Sequence, residues 1–415
     1  MTTPALRRGQ PIWLHGGLTP SRRPYPVLRG RHDADIAIVG GGMTGAMVAQ
    51  AFVRAGASVA IIEAARVGHG STAASTALLL QEPDYDLHDL TKKYGARRAR
   101  RIWELGAAAT RDFIDTIRSL RIKCDLLERD SIYYTLGAAR AQRLRRELDR
   151  RHAAGLGGEW LDRGELRRQS AIDGAGAIRT HGNAQLNPLR ACLGVIVAAA
   201  KRGALVFERS TVTRIARTRF GVRVHGEHGS VDAARVVIAT GYATKYFKPL
   251  AGRFKMRRTY VLASHRFSWR ERRRLGLGGV LLWDTERPYH YIRWTPDHRL
   301  LLGGEDRPVK PGASRDRQFA AAAADLRRYF YERFPSLRDV GLAAAWEGLF
   351  AMTPDSLPYI GPHRRYPGHT FALGYGGNGM TFASLAARIL VEQWQGIKSE
   401  DHDLFAFNRH TKSTK

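Results

Sequence analysis

The stretch that most constrains this chain runs from Asp35 to Glu63 and reads DIAIVGGGMTGAMVAQAFVRAGASVAIIE. A short apolar run, Ile36 to Val39, meets a glycine cluster. Small and apolar residues then recur at helical spacing to Ala55, Gly56 stops the helix, and a second apolar run, Val59 to Ile62, ends at Glu63. The pattern predicts a strand, a tight turn, a helix and a parallel strand. In the turn, Gly40 permits the sharp reversal, Gly42 lets backbone N–H groups approach a pyrophosphate, and Gly45 lets the helix lie close on the strand. The pyrophosphate belongs at the helix N-terminus, where unpaired N–H groups and the helix dipole favour an anion. Glu63 ends the second strand, where a carboxylate accepts hydrogen bonds from ribose hydroxyls. A Gly-rich turn that binds nothing is the alternative, and it leaves Glu63 without a role.

A chain of 415 residues with 44% apolar composition is long enough for two domains with cores of their own. Its two cysteines, Cys124 and Cys192, make no disulfide framework and lack metal-like spacing, which suits buried thiols in a reducing compartment. The N-terminus has no apolar core of signal-peptide length, and no later apolar run approaches membrane-spanning length, so the chain reads as cytoplasmic with no membrane span.

The 67 Lys and Arg against 38 Asp and Glu leave a formal charge of +29, a field that attracts anions, nucleic acid among them. The basic residues cluster at Lys92–Arg101, Arg140–Arg151 and Arg270–Arg274. The first two clusters have helical apolar spacing and read as solvated helix faces. Few aromatics alternate with these arginines as a base-stacking surface requires, which weighs against a nucleic-acid partner.

Along the chain, residues 1–32 read as an irregular lead-in rich in Pro, Gly and Arg. After Glu63, a hydroxyl-rich turn contains Gly68, Gly70, Ser71, Thr72, Ser75 and Thr76; it can let a flat ring approach, or it can be an ordinary helix N-cap at Ser71 or Ser75. Amphipathic helix is expected over Leu87–Leu120 and Ala138–His152, strand over Ser131–Leu136, and a short helix over Leu161–Ser170. A helix from Asn187 to Lys201, strands at Leu205–Glu208 and Val212–Ile215, and the buried run Ala233–Gly241 rejoin the first sheet, so the dinucleotide domain is expected to be discontinuous. From Pro249 to Phe334 the pattern changes to alternating strands, with a hairpin turn at Thr295–His298 and a helix from Arg317 to Phe334. Finally, TFALGYGGNGMTFASLAARILVEQW repeats the strand, glycine turn and helix, aiming N–H groups at a second polar region of a long ligand.

The opening GGGMTG, the strand end at Glu63, the ATG at Ala239–Gly241, the GGED hairpin end, MTPDSLPYIGP and GYGGNGM follow one another in an order and spacing that resembles the FAD-dependent oxidoreductases related to D-amino-acid and sarcosine oxidases. The lead-in with Trp13 and PYPVL resembles their amine-oxidising branch, which includes gamma-glutamylputrescine oxidase. The implied fold is α/β (α+β): a discontinuous FAD-binding Rossmann-like domain over 33–86, 155–248 and 340–396, a second, substrate domain on a mostly antiparallel β-sheet over 87–154 and 249–339, and a tail over 397–415.

By this resemblance the cofactor is FAD. Gly40, Gly42, Met43, Thr44, Gly45, Glu63 and Ala64 hold its ADP part, Val212 offers backbone near the adenine, and Gly241 lies along the pyrophosphate. Gly70, Ser71, Thr72, Ser75, Thr76 and Gly348 face the flavin, with Gly376, Gly377, Asn378, Gly379, Met380 and Thr381 near its pyrimidine edge. N–H groups there stabilise negative charge on the reduced ring. Sarcosine-type relatives link a cysteine to flavin near the TPD stretch; none stands between Trp346 and Asp355, so the FAD is expected to be non-covalent. The basic groups that hold a substrate carboxylate in those relatives fall at apolar or neutral positions, including Thr381, and the oxygen-activating lysine falls at Leu301. This weighs against a sarcosine-like substrate and against fast reaction with oxygen, leaving oxygen or a quinone as the electron acceptor.

The implied reaction is hydride transfer from the carbon next to an amine or amino-acid nitrogen to flavin N5, giving an imine that hydrolyses. In PYHYIRW, Tyr289, Tyr291 and Arg293 share one strand face and His290, Ile292 and Trp294 the other. Tyr291 is expected to meet the substrate and Arg293 to pair with an anionic group, with Thr381 the third catalytic candidate; the alternative is that these are strand-surface residues of high β propensity. No His spacing suggests a metal site, and no G-x-S-x-G or Cys/His nucleophile signature appears. Two other readings remain open: a flavoenzyme acting on an amine of tRNA, which the basic surface suits, and an FAD-binding protein without turnover.

Overall fold

The computed structural model describes residues 7–14, 24–335, 338 and 340–409. Residues 1–6 and 15–23 of the lead-in and 410–415 of the tail lie outside the described residues.

The apolar run before the glycine turn is the end of a longer strand, Gly30–Val39, at the centre of the smaller sheet. The strand order is Tyr359–Pro362, His369–Leu373, Gly229–Gly241, Gly30–Val39, Val59–Ile62 and Leu205–Phe207. Along this order all pairs are parallel except the first, and Val222–His225 and Arg214–Arg217 add two antiparallel strands alongside Gly229–Gly241. Parallel strands are covered on both faces, and here Ile36, Ala37, Ile38, Ala60, Ile61, Val236, Val237 and Ile238 are all buried, which is why these runs are continuously apolar. The helices Met43–Arg54, Pro188–Lys201 and Gly379–Trp394 pack together over one face of this sheet through Ala46, Ala49, Ile196, Ala383 and Ala386.

The larger sheet has the order Arg7–Gly9, Leu342–Met352, Lys255–Ser264, Leu300–Pro308, His290–Trp294, Leu281–Asp284, Leu127–Thr135, Gly176–Gln185 and Leu78–Leu79. Glu159–Leu161 adds alongside Gly176–Gln185. Its pairs are antiparallel apart from Leu281–Asp284 on Leu127–Thr135. The turn at Thr295–His298 does join two of its strands, closed by the Thr295 N–H to the Arg299 carbonyl.

The chain is therefore α/β, with a discontinuous Rossmann-like half and a mostly antiparallel second half. The strands distribute between the sheets differently from the segment boundaries above. Gly176–Gln185 and Leu342–Met352, placed by sequence in the dinucleotide domain, belong to the larger sheet, because their partners lie far away in the chain and pairing depends on those partners. Arg7–Gly9, within the lead-in read as irregular, pairs with Trp346–Gly348 as an edge strand held by backbone bonds, which leave no apolar alternation to read. The single helix expected over 87–120 is two, Leu87–Tyr94 and Ala96–Ser119, broken where Gly95 takes φ +77°. The tail is anchored rather than loose as far as Arg409. That guanidinium is buried, donates to both carboxylate oxygens of Asp355 at 2.7 Å, and also reaches the carbonyls of Leu357 and Pro358.

Candidate cofactor and substrate site

A cavity of about 740 Å³ opens at the carboxyl ends of the parallel strands and is lined from both sheets. Its first end is the glycine turn. Gly40 has φ +111°, and a side chain there would meet the Ala239 carbonyl. A Cβ on Gly45 would stand 1.9 Å from the Gly40 carbonyl oxygen, so the helix can lie this close only on glycine. Gly45 is thus in the packing beneath the cavity, while Gly40, Gly42, Met43 and Thr44 line it. The helix Met43–Arg54 begins at Gly42, which has no side chain to cap it, and has no acidic residue in its first turn; Thr72 takes the Met43 N–H, and those of Thr44 and Gly45 remain at the dipole end open to an anion.

Glu63 and Ala64 also line the cavity. The Glu63 carboxylate accepts from the N–H groups of Gly41 at 2.7 Å and Ala65 at 2.8 Å, which ties the strand end to the turn. Burial pushes this carboxyl above its ordinary range against those two bonds, and nearby Glu208 adds to the rise. Val212 lines the same end beside Ser210, whose N–H donates to the Glu63 carbonyl. Gly241, at φ +79°, follows the long strand Gly229–Gly241 and continues the wall.

The middle of the cavity is the hydroxyl-rich turn: Gly70, Ser71, Thr72, Ser75 and Thr76 all line it. Ser71 and Ser75 are not N-caps. The short helix Ser71–Ala74 starts from Gly70, Ser71 Oγ donates to the Leu349 carbonyl at 2.7 Å, and Ser75 Oγ accepts from Ala77 N–H. Thr72 Oγ1 accepts from Met43 N–H at 3.0 Å, joining this turn to the first. Gly348 lines the cavity opposite, where a Cβ would stand 2.9 Å from that of Ala74.

At the far end, Gly376, Gly377 and Asn378 form the turn before the last long helix and Gly379 and Met380 begin that helix, and all five line the cavity. Asp84 organises it. Its carboxylate accepts from Gly377 N–H at 2.8 Å and from Asn378 Nδ2 at 2.9 Å, and Asn378 also donates to the Glu82 carbonyl. Tyr291 lines this end with Tyr289, Trp283 and Thr259. Tyr291 Oη lies 2.9 Å from Thr259 Oγ1, and its ring covers Gly303, where a Cβ would collide with it.

Two candidates lie elsewhere. Arg293 does not line the cavity: it is buried, with Nε donating to the Thr76 carbonyl, Nη2 to Leu186 and Nη1 to Trp294, and with the Trp13 ring 5.3 Å away. Alternation put it on the correct strand face, but at that register the face has passed from cavity to core. Thr381 is also buried, its Oγ1 donating to the Leu80 carbonyl at 2.6 Å and lying 3.4 Å from Thr110 Oγ1. It belongs to helix packing, not to the cavity lining. Leu301 is in the core. Residues that the sequence reading missed include Glu82, Asp84, Trp283 and Thr259. Asp84 gave no signal of its own, because it stands in the polar, acidic stretch QEPDYDLHD, which usually marks a surface loop.

A long cavity that begins at an uncapped helix N-terminus with a glycine cradle and a strand-end carboxylate, and ends at a second glycine turn under an aromatic wall, defines a dinucleotide-cofactor oxidoreductase. Residues 35–393 match the family model for the FAD dependent oxidoreductases, DAO, and the chain belongs to that family. It is 29% identical over 391 residues to gamma-glutamylputrescine oxidoreductase of Escherichia coli K12, covering 92% of this chain and 88% of that one. It is 24% identical over 396 residues to glycine oxidase of Bacillus licheniformis, covering 92% and 98%. The fold matches the crystal structure of glycine oxidase from Geobacillus kaustophilus with a TM-score of 0.76 at 21% identity, over 89% of this chain and 96% of that one. L-proline dehydrogenase from P. horikoshii matches with a TM-score of 0.74 at 16% identity, over 94% and 100%.

The residues present fit FAD. The glycine cradle and open helix end suit its diphosphate, Glu63 suits a ribose, and the cavity continues past Gly241 to a second set of backbone N–H groups. The protein is an FAD-dependent oxidoreductase. Among the described residues no helix is long and apolar enough to cross a membrane.

Proposed function

We propose that the protein oxidises the carbon–nitrogen bond of a small amine or amino acid, releasing an imine that water hydrolyses. Bound FAD supplies the hydride acceptor, flavin N5. The chain's own residues bind the amine, orient its C–H bond and keep out bulk water. Tyr291, Tyr289 and Trp283 provide the wall for this, and Gly379 and Met380, the first residues of the last long helix, provide N–H groups toward the cofactor's polar edge, those of Gly376, Gly377 and Asn378 being bonded to Ala351, Asp84 and Tyr375. The observation that carries the reading is the make-up of that wall. It is aromatic and hydroxyl-bearing, and among the described residues the one Lys or Arg that lines the cavity is Arg66, alongside Glu63 and Ala64 at the opposite end. Such a wall accepts a neutral amine nitrogen and has no built anchor for a substrate carboxylate. An amine therefore suits it better than a free amino acid, in line with the relative named for an amine and at variance with the one named for glycine.

An anaerobic screen tests this: amines and amino acids are mixed with oxidised holoprotein and the visible flavin band is followed. Bleaching by one or more amines is the expected result, and a flavin left oxidised by every amine contradicts it. Readmitting air then distinguishes oxygen from a quinone or other carrier as electron acceptor, and slow recolouring is expected with Leu301 in the core. Neither Cys124 nor Cys192 lines the cavity, which supports non-covalent FAD. Acid precipitation should leave the yellow flavin in the supernatant; flavin retained in the pellet contradicts non-covalent attachment. Two free buried thiols also support a reducing, cytoplasmic setting.

A further inference from the structure

The same wall contains more negative charge than amine oxidation needs. Asp84 and Glu82 line the cavity, and the Asp306 carboxyl lies behind that lining, near Asp84 and against Thr259 and Tyr289. Asp84 is deep in the molecule yet keeps partial exposure, so what it exposes opens into the cavity. Its bonds to Gly377 and Asn378 use part of its accepting capacity. Glu82 is 2% exposed, and its Oε2 has no hydrogen-bond partner; Oε1 accepts from Ser131. Asp306 Oδ1 is likewise buried with no partner. The basic groups that act on these carboxyls are peripheral: Arg287, exposed, acts on Asp84, and Arg257 is the last and smallest influence on Asp306. Buried carboxylate oxygens in or just behind a cavity wall, without an ion-pair partner, are stabilised by a ligand that brings positive charge to that wall. Tyr289 and Tyr291, with ring centroids 6.1 Å apart, and Trp283 add π faces that also favour a cation.

We propose that this end of the cavity selects substrates with a second positive charge, a diamine or a longer polyamine, whose additional ammonium group is held by Asp84 with Glu82 beside it in the lining and Asp306 behind. This deepens the amine reading and rests on it. It places the enzyme after a reaction that supplies an aliphatic di- or polyamine and before one that consumes an amino-aldehyde.

The test separates binding from turnover. Anaerobic holoenzyme is titrated with a five-carbon α,ω-bis(trimethylammonium) dication, with the alkyl-trimethylammonium monocation of equal length, and with the carboxylate of equal length, reading the perturbation of the flavin band. Quaternary ammonium groups form no neutral imine, so the ordering is measured even if every amine fails to bleach the flavin and the amine reading falls. The dication should bind about tenfold or more tighter than the monocation, with the carboxylate weakest. Asp306→Asn, which breaks no bond to the Gly377 turn, and Asp84→Asn should each cut that preference to about threefold or less, with retained flavin reporting an intact fold. Equal binding of dication and monocation, tighter binding of the carboxylate, or a preference unchanged in both variants overturns the proposal.

Discussion

At the scale of single residues, Arg293 and Tyr291 separate two roles that the sequence could not. Both face the same side of one strand, and alternation alone assigns them the same surroundings. In the fold, Tyr291 borders the cavity while Arg293 holds three carbonyls together beneath it. Tyr291→Phe should therefore lower kcat or raise KM by a factor of about three to ten with flavin retained, the effect of losing one hydrogen bond of about 1 kcal/mol. Arg293→Met should instead destabilise the fold by about 3 kcal/mol or more, since it leaves buried carbonyls unpaired; a denaturant titration measures it. Kinetics changed in Arg293→Met at unchanged stability would return that residue to the site. The cavity carboxyls set a pH dependence. Burial raises Asp84 to about 6, against the Gly377 N–H and Arg287; burial raises Asp306 to about 7, with Asp84 adding to the rise and Thr259, Tyr289 and Arg257 opposing it. A carboxyl is charged above its own value, so affinity for a permanent dication should be full above about pH 8 and fall as pH drops through 7 and 6. A flat profile over that range contradicts it. None of these acids was legible beforehand, because only the folded chain reveals that they face a cavity rather than water.

At the scale of elements, legibility followed locality. The strand, glycine turn, helix and strand from Ile36 to Ile62 could be read because every part of the signal lies within one stretch: apolar runs of strand length, small residues at helical spacing, and glycines where Gly40 and Gly45 tolerate no Cβ. The hairpin at Thr295–His298 was legible for the same reason. Strand membership was not: Leu342–Met352 lies between Lys255–Ser264 and Arg7–Gly9, partners about 90 and 340 residues earlier in sequence. The C-terminal segment shows the same limit. Its sequence reads only as a tail, yet Arg409 is fully buried on Asp355, which also accepts from Tyr94 Oη. Arg409→Leu should cost about 3–5 kcal/mol by leaving Asp355 as an uncompensated buried charge, read as a lower denaturant midpoint. A change within about 0.5 kcal/mol would mean that the pair is open to water.

At the scale of the whole molecule, the two sheets meet around one cavity, with the nucleotide-binding end built by the parallel sheet and the aromatic, acidic end built largely by the antiparallel one. The basic clusters lie largely on the outside, apart from Arg151, which is buried against Glu147 and the Trp103 ring, and part of their charge is met within the chain. Arg97 reaches Glu400 at 3.1 Å and Arg101 reaches Asp401 at 2.8 Å, both tying the helix Ala96–Ser119 to the short helix Glu400–Phe405. The contrast between a basic exterior and an acidic cavity end bears directly on what enters, since an ammonium group is repelled at long range and held only at the wall. The most direct measurement is a single anaerobic turnover, in which oxidised holoprotein is mixed with its best amine substrate, either unlabelled or deuterated at the carbon bearing nitrogen. The account predicts that the flavin band bleaches and that deuteration slows bleaching several-fold. Bleaching by a hydroxy acid or polyol phosphate and by no amine would contradict it.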